Sequence, residues 1–433
     1  MTAQQAIRDL PKISEVRRCH SSEKPEPVSV PTELPTGYYL DHFRTLLDTV
    51  EDRYGDLLCP EERAFLEKFR DLSLPAQRLY VRLISRKGPV FRSDRLSYPE
   101  IPDLEGTWFV LADAGFLSIN DPAFCEHTLE LLTTPELRAL AGEGGISIVR
   151  TGRKGDVCQA ILDNLPGEKL LIALNRRFQW LSPLFLNVLR VFRLFYFGSS
   201  EADLSAFILS DLGRIKFESY PLLSTDRLFT HRDEVERALR LRDLGDELNA
   251  ILEDAGADDP AAEVERLLAI LPQAGGHPLL TRWRRRFLEK AARFWERQER
   301  ADRALELYSD AETFPARERR ARLLVRMGKP DEALACCREI LTSPRDPEEE
   351  EVASNLITRL QSGKPNRSTF PPVVERLVLL PDPPGRIEQR VLEALADRGI
   401  QGFEAENRFW TSLFALVFWD ILFLPVPRAF GHP

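Results

Sequence analysis

Residues 320–344 read RARLLVRMGKPDEALACCREILTSP, and they carry the clearest structural pattern in the chain. A small residue, Gly328, interrupts two apolar helical runs, and the acidic pair Asp331 and Glu332 marks the start of the second run. Ala333 lies one position later, where a small side chain lets two helices approach closely. The stretch therefore predicts a helix, a tight turn and a second helix packed antiparallel to the first.

A fainter copy of this hairpin precedes it, with Ala304 in the place of Ala333. The two alanines are 29 residues apart (333 minus 304), which is shorter than the roughly 34-residue period of tetratricopeptide repeats. We therefore expect stacked tetratricopeptide-like hairpins over residues 280–360, in a degenerate array. They form part of a helical domain predicted over residues 169–370.

Between Leu170 and Leu252 the pattern is helical, with long apolar faces in LSPLFLNVLRVFRLFYF and ADLSAFILSDLG. No alternation of apolar and polar residues is long enough to indicate a sheet. Residues 125–168, further toward the N-terminus, read as a helical hairpin around the turn GGISIVRTGRKGD, and they form a separate predicted unit.

Residues 38–124 are predicted to form an N-terminal helical domain. Its first helix begins at Tyr38, a second spans Glu61 to Arg70, and a later one stops at Gly115, with one short extended turn between them. Several prolines punctuate a polar stretch before this domain, so residues 1–37 are predicted to be a tail or linker.

A proline cluster between Pro365 and Pro384 marks the boundary of a last region, residues 371–433. This region contains a predicted helix from Arg386 to Asp397 and an aromatic stretch. The apolar run from Trp410 to Pro425 is shorter than the roughly 20 residues of a membrane span and contains Asp420. We therefore predict that the run is a buried core element and that Asp420 is a buried structural acid.

The composition indicates the general class of protein. The 433 residues are 43% hydrophobic and 29% charged, which is typical of a globular, multi-domain chain. The fold class expected is mainly α. Six cysteines lack any CxxC pair and no secretory signal pattern is present, so we expect a cytoplasmic protein without structural zinc.

The formal net charge of −9 means that binding to a polyanion requires local basic patches. Two such patches interrupt apolar sequence. The first comprises Arg78, Arg82, Arg86, Lys87, Arg92 and Arg95, and the second, in the segment RWRRRF, comprises Arg282, Arg284, Arg285 and Arg286. Arginine suits phosphate contact and base stacking. However, only 10 of the 59 basic residues are lysine, so these arginines could equally be ordinary solvated cations.

A group of five further arginines near residue 320 has acidic neighbours at Glu312 and Glu318, and we interpret it as a solvated surface. It comprises Arg317, Arg319, Arg320, Arg322 and Arg326.

Several strings in order along the chain resemble the Fanconi-associated nuclease family. They are YYLDHF at Tyr38, AQRLYVRLISRKGPVFR around Gln77, LSYPEI at Leu96, DLSAFILSDLG at Asp203, RIEQRVLEAL at Arg386 and ENRFWTSLFALVFWDILF at Glu406. Members of that family join a DNA-binding SAP motif and a tetratricopeptide-like region to a C-terminal VRR-NUC nuclease domain. The resemblance implies that residues 125–168 are the SAP motif and that residues 371–433 begin an α/β, restriction-endonuclease-like nuclease domain.

The resemblance also implies an activity: structure-selective hydrolysis of DNA, as a 5′-flap endonuclease and 5′–3′ exonuclease in repair, including the repair of interstrand crosslinks. Its cofactor would be Mg²⁺ or Mn²⁺, and the family's first metal-binding, catalytic acid falls on Glu388. Without the resemblance, Glu388 is a solvated glutamate favoured by the helix dipole. The family's remaining acids and lysine lie beyond the position of Pro433, so we expect the chain as given to be catalytically incomplete.

In the SAP motif, the resemblance makes Arg150, Arg153 and Lys154 candidate phosphate contacts at the start of a helix. Branched or flapped double-stranded DNA is the partner expected, at the nucleoid if the source is bacterial, and the repeats offer a surface for a protein partner. No membrane is expected as a partner, and the choice between monomer and dimer stays open. The rival interpretation is a non-catalytic scaffold that binds DNA and a protein.

Overall fold

The computed structural model describes residues 37–148, 152–200, 227–253, 259–362, 386–403 and 408–422. The N-terminal domain is built on helices α1 (Tyr38–Tyr54), α2 (Pro60–Asp71), α3 (Leu74–Ile84) and α4 (Leu104–Asp113). Tyr38 starts the first helix as the periodicity predicts. The turn after α4 uses Gly115 at φ +78°, a conformation that glycine adopts without steric cost.

A small antiparallel sheet completes this domain. Its strands are β1 (Phe91–Arg92), β2 (Leu117–Ile119) and β3 (Trp180–Pro183), and β3 lies in the centre. Phe91 pairs with Leu181 on one side, and Ser118 pairs with Ser182 on the other.

Strand β3 corrects the prediction of continuous helix after Leu170. Its four residues WLSP are all buried, so the strand has no alternation of apolar and polar side chains that periodicity could detect. The strand also crosses the predicted domain boundary. Residues 180–183 follow the predicted SAP motif, yet they pair with strands on the N-terminal side of it.

The hairpin region is thus inserted between two strands of one sheet. It comprises α5 (Cys125–Glu130), α6 (Thr134–Glu143), α7 (Lys154–Asn164) and α8 (Gly167–Asn175). Leu137 and Leu140 of α6 meet Val157 and Ile161 of α7 in a separate buried cluster, which confirms the predicted apolar faces. Trp180 of β3 belongs to the same cluster and joins the hairpin to the sheet.

Two long helices carry the chain from this domain to the repeats: α9 (Leu186–Phe197) and α10 (Arg232–Glu253), followed by α11 (Pro260–Ala269). The Tyr54 hydroxyl accepts a hydrogen bond from the Leu228 backbone N–H at 2.9 Å, and Arg232 Nη1 lies 2.7 Å from Glu62 Oε2. One buried cluster runs from α1 through these helices into the first repeat, so the N-terminal domain and the repeats share a core. The predicted string at residues 203–213 lies outside the described residues.

The predicted helical hairpins are confirmed. They comprise α12 (Pro278–Arg297), α13 (Ala301–Ala311), α14 (Phe314–Arg326), α15 (Pro330–Thr342) and α16 (Pro347–Ser362). Ala304 and Ala333 are completely buried, and Gly328 forms the turn between α14 and α15 at φ +72°. A third cluster, with Cys336 and Cys337 at its centre, joins α14, α15 and α16.

The last described helices are α17 (Ile387–Ala396), α18 (Arg408–Val417) and α19 (Trp419–Leu422). Trp410 is 62% exposed and Asp420 is also exposed, so the prediction of a buried core element is wrong for the described part of this run. Burial needs a facing surface, and none of the three buried clusters found among the described residues includes α17–α19. No described helix has the length and apolarity needed to cross a membrane.

Candidate nucleic-acid interface

Arg78 and Arg82 share one face of α3, as their spacing predicts, but the structure turns both toward the protein. Arg82 donates two hydrogen bonds to Glu100 Oε1, at 3.0 and 2.7 Å, and stacks over the Tyr39 ring at 4.0 Å. Arg78 Nη1 lies 3.4 Å from the Glu100 carbonyl oxygen. Burial, reinforced by a hydrogen bond to Glu100, raises the pKa of Tyr39 to about 12. These contacts tie α1 and α3 to the loop before α4.

Arg92 is the most deeply enclosed of the predicted contacts, with 8% of its surface exposed. It donates to both oxygens of Glu136, at 2.8 and 2.9 Å, and to both oxygens of Asp94. Its guanidinium also lies over the Phe178 ring at 4.1 Å. Four hydrogen bonds thus hold its guanidinium inside the protein, where Arg92 joins β1 to α6. This placement argues against a phosphate contact at Arg92.

Glu136 receives these bonds at the start of α6, in a capping box with Thr133. Burial favours its protonated form, but the Thr133 N–H at 2.6 Å and the Arg92 guanidinium outweigh that effect and lower the pKa of Glu136 to about 2. The carboxylate therefore stays charged across the physiological range. Its sequence signal is the pattern TTPE, a helix-start motif that says nothing about the partner 44 residues away.

Arg86, Lys87 and Arg95 remain exposed around Arg92. Arg86, Arg92 and Arg95 line a cavity of about 200 Å³ together with Leu131 of the hairpin region. Arg86 bonds the Tyr98 hydroxyl at 3.1 Å, and Arg95 reaches Glu136 at 3.4 Å with 49% of its side chain exposed. Lys87 makes no hydrogen bond or ion pair within the described ranges.

Lys154 of α7 lies beside the wall of this cavity. Its Nζ donates to the Glu130 carbonyl oxygen at 2.6 Å, and Glu130 precedes Leu131 of the cavity wall. We call Arg86, Arg95 and Lys154 the basic rim, since three separate segments bring these exposed cations to one place. Arg153 is exposed beside Lys154, whereas Arg150 lies outside the described residues.

The start of α7 is less open to a phosphate than its sequence indicates. The backbone N–H of Arg153 donates to Asp156 Oδ2 at 2.9 Å, so an anion of the protein already caps this helix. The carboxylate of Asp156 also places a negative charge at this helix start, so attraction of a phosphate depends mainly on the side chains of Arg153 and Lys154.

The RWRRRF segment lies in the first half of α12. Arg282 and Arg286 are exposed and have no ion-pair partner in the described part of the chain, whereas Arg285 pairs with Glu312 at 2.7 Å. The half-buried Arg284 keeps its Nε away from solvent without a hydrogen bond among the described residues. Arg282, Arg285 and Arg286 face a cavity of about 720 Å³ that extends to the start of α14.

The arginines near residue 320 are only partly the solvated surface that we predicted. Arg317 is 9% exposed and pairs with the fully buried Glu349 at 3.2 Å, so it links α14 to α16. Arg319 and Arg326 both contact Glu296 of α12, an acid that sequence spacing does not connect with them. Arg322, paired with Glu318 one turn before it, and Arg326, with 59% of its side chain exposed, fit the predicted solvated surface.

Glu388 lies exposed in the first turn of α17. Within the described ranges, no three His, Cys, Asp or Glu side chains come together as a set that could hold a metal ion. The described residues thus offer one carboxylate at this position and do not by themselves form a cation site.

Comparison with known proteins identifies the class. A family model described as "FAN1, HTH domain" matches residues 37–118, which is the N-terminal domain up to β2. A Fanconi-associated nuclease 1 homolog of Pseudomonas aeruginosa is 31% identical over 429 residues, covering 95% of this chain and 73% of the relative. An Arabidopsis thaliana homolog is 29% identical over 91% of this chain and 50% of its own length.

A solved structure agrees with these relatives. The crystal structure of paFAN1 bound to 2nt 5′-flap DNA with a gap matches at a TM-score of 0.78 and 30% identity, over 93% of this chain and 73% of that one. The fold is therefore that of a multi-domain, mainly α-helical nuclease. The chain belongs to the Fanconi-associated nuclease 1 family, which confirms the resemblance found in the sequence.

Proposed function

We propose that this protein is a structure-selective, divalent-metal-dependent DNA nuclease that hydrolyses phosphodiester bonds near 5′ flaps. The observation that carries the proposal is the similarity, across nearly the whole chain, to a solved homologue that holds a 5′-flap DNA. We extend it to 5′-flap endonuclease and 5′–3′ exonuclease activity in DNA repair, including interstrand crosslink repair. Cytoplasmic DNA, at the nucleoid in a bacterium, is the proposed site of action.

The basic rim supports DNA as the substrate. Its three cations come from the end of α3, from the turn after β1 and from the inserted hairpin, and they stay exposed in a protein whose net charge is −9. Contacts of lysine and arginine with phosphates position a duplex without reading its sequence. Selection for a flap would then rest on the shape of the branched DNA rather than on its bases.

The proposed cofactor is Mg²⁺ or Mn²⁺, with Glu388 as one of its carboxylate ligands. When bound, such a cation stabilises the charge that develops on the phosphate oxygens during hydrolysis. The exposed position of Glu388 leaves its carboxylate available to a cation, and Glu388 forms no ion pair among the described residues.

The test is cleavage of an end-labelled 5′-flap duplex with Mn²⁺ by protein expressed from the whole coding sequence. We expect Glu388→Gln to reduce the rate at least about 100-fold, because a metal site contributes several kcal/mol and about 1.4 kcal/mol corresponds to tenfold. Glu393→Gln, which changes an exposed glutamate of the same helix, should leave the rate within about twofold.

Undiminished cleavage by the Glu388 variant would remove this residue from the mechanism. Cleavage that persists with a chelator would overturn the cofactor. If the unaltered protein binds the flap and never cleaves it, the scaffold interpretation replaces the nuclease.

A further inference from the structure

The repeats form a third cavity, which is separate from the basic rim and shares Phe314 and Pro315 with the cavity faced by Arg282. It has a volume of about 820 Å³ and lies along α12, α14 and α16, the first helices of successive hairpins. We call it the repeat groove. Stacked helical repeats commonly use such a concave surface for binding, and pockets of about 300–1,000 Å³ hold compact ligands.

The repeat groove is positively charged within an acidic protein. Five arginines line it against three glutamates, whereas the whole chain has a net charge of −9. The arginines come from all three helices: Arg293, Arg319, Arg322, Arg326 and Arg359. This surface therefore attracts an acidic ligand.

Contacts behind the arginines hold part of this charge in place. Glu296 binds both Arg319 and Arg326, and it accepts a hydrogen bond from the Tyr308 hydroxyl at 2.7 Å. Arg319 and Arg326 nevertheless keep 41% and 59% of their side chains exposed. Because a guanidinium has five N–H donors, each retains donors for a carboxylate of a ligand.

Two arginines of the groove have N–H donors without a partner among the described residues. The Nε of Arg293 is buried without a hydrogen-bond partner among the described residues. Arg359 is exposed on α16 and makes no ion pair within the same ranges. An unsatisfied buried donor costs free energy, which an acceptor from a bound ligand would offset.

Apolar side chains lie between these cations. Phe314 and Val325 of α14 face Val352 and Leu356 of α16 across the groove, and all four are half-buried. A DNA backbone presents mainly charged phosphates and offers little apolar surface to cover these four side chains. A peptide that carries both acidic and apolar side chains satisfies the arginines and the apolar residues together.

We propose that the repeat groove binds an acidic, leucine-rich segment of a partner protein. This inference goes beyond the proposed nuclease function, since it concerns a protein ligand at a surface distinct from the basic rim. The arginines form ion pairs with the carboxylates of this segment, and the four apolar side chains pack against its leucines.

Fluorescence anisotropy tests the proposal with labelled 12-residue peptides that contain glutamate and leucine in different orders. We expect at least one peptide to bind, and the same peptide with glutamine for glutamate to lose at least tenfold in affinity. Arg322→Glu and Arg359→Glu should each weaken binding at least tenfold. Arg338→Glu, an exposed arginine of α15 outside the groove, should change it less than twofold.

Arg359→Ala is a second variant that removes no described hydrogen bond or ion pair, so we expect it to lower the affinity without unfolding the protein. Absence of binding by every peptide, or equal binding by the groove variants and the Arg338 variant, would overturn the proposal. Binding of a 5′-flap duplex is measured in parallel and should be the same for all variants. If the groove variants lose DNA instead of peptide, the groove is a DNA surface and the proposal is wrong.

Discussion

The role predicted for Arg92 from the sequence differs from the role that the structure shows. In the sequence it is one of six cations that read as a phosphate-binding patch. In the structure its guanidinium is held by Glu136, Asp94 and the Phe178 ring, and it joins the sheet to the inserted hairpin. The neighbouring cations Arg86 and Arg95 stay exposed, and phosphate contact by them remains a prediction.

We expect Arg92→Ala to destabilise the protein by about 2 kcal/mol, below the roughly 3–5 kcal/mol lost from a fully buried pair, because its two carboxylate partners remain partly exposed. Arg92→Lys should restore little of this, since an ammonium cannot bond two carboxylates in a planar arrangement. Urea unfolding measures both changes. Arg95→Ala is the control and should stay within about 0.5 kcal/mol of the unaltered protein; an equal loss at both positions would contradict the assignment.

At the scale of elements, the repeats follow local rules. Gly328 supplies the positive φ that the turn needs, and Ala333 lets α15 approach Ala321 and Leu324 of α14. Both residues were identifiable from the sequence because a turn and a close approach impose requirements at single positions. The sheet does not follow local rules, because β3 is a strand only through its pairing with the strands on either side of it.

Ala333→Leu should destabilise the protein by about 1–3 kcal/mol, because a fully buried alanine between packed helices has no room for three more carbons. Thermal unfolding followed by circular dichroism detects the change. Ala335→Leu, two residues later and exposed, is matched in chemistry and should shift the midpoint little. A similar loss for both substitutions would show that helix propensity, and not packing, is responsible.

At the scale of the whole molecule, charge is distributed unevenly. The net charge of −9 coexists with surfaces rich in cations, among them the basic rim, proposed for DNA, and the repeat groove, proposed for an acidic peptide. The two surfaces differ in their location. The arginines of the groove lie on three neighbouring helices of the repeats, whereas the cations of the rim come from the N-terminal domain and the inserted hairpin.

The logarithm of the association constant for a 5′-flap duplex should fall linearly with the logarithm of the salt concentration. The slope should be about −0.9 for each phosphate contacted. The double substitution Arg86→Ala with Lys154→Ala should reduce the magnitude of that slope by about 1–2. Titrations at several salt concentrations measure it, with Arg338→Ala as the control. An unchanged slope would remove the rim from the DNA contact.

The sequence by itself determined the helices, their turns and the family. These features depend on residues a few positions apart, such as the apolar faces from Tyr38 to Val50 or the turn at Gly328, or on strings whose order identifies the family. The basic patches were also visible, but not which of their members are exposed.

Only the tertiary structure decided which charges are available and where the strands pair. Arg92 meets Glu136 across 44 positions, and β3 pairs with strands that precede the inserted hairpin. The repeat groove likewise needs side chains from three helices. These partners depend on long-range packing and on the desolvation of charged groups. Neither effect produces a periodic pattern in the sequence.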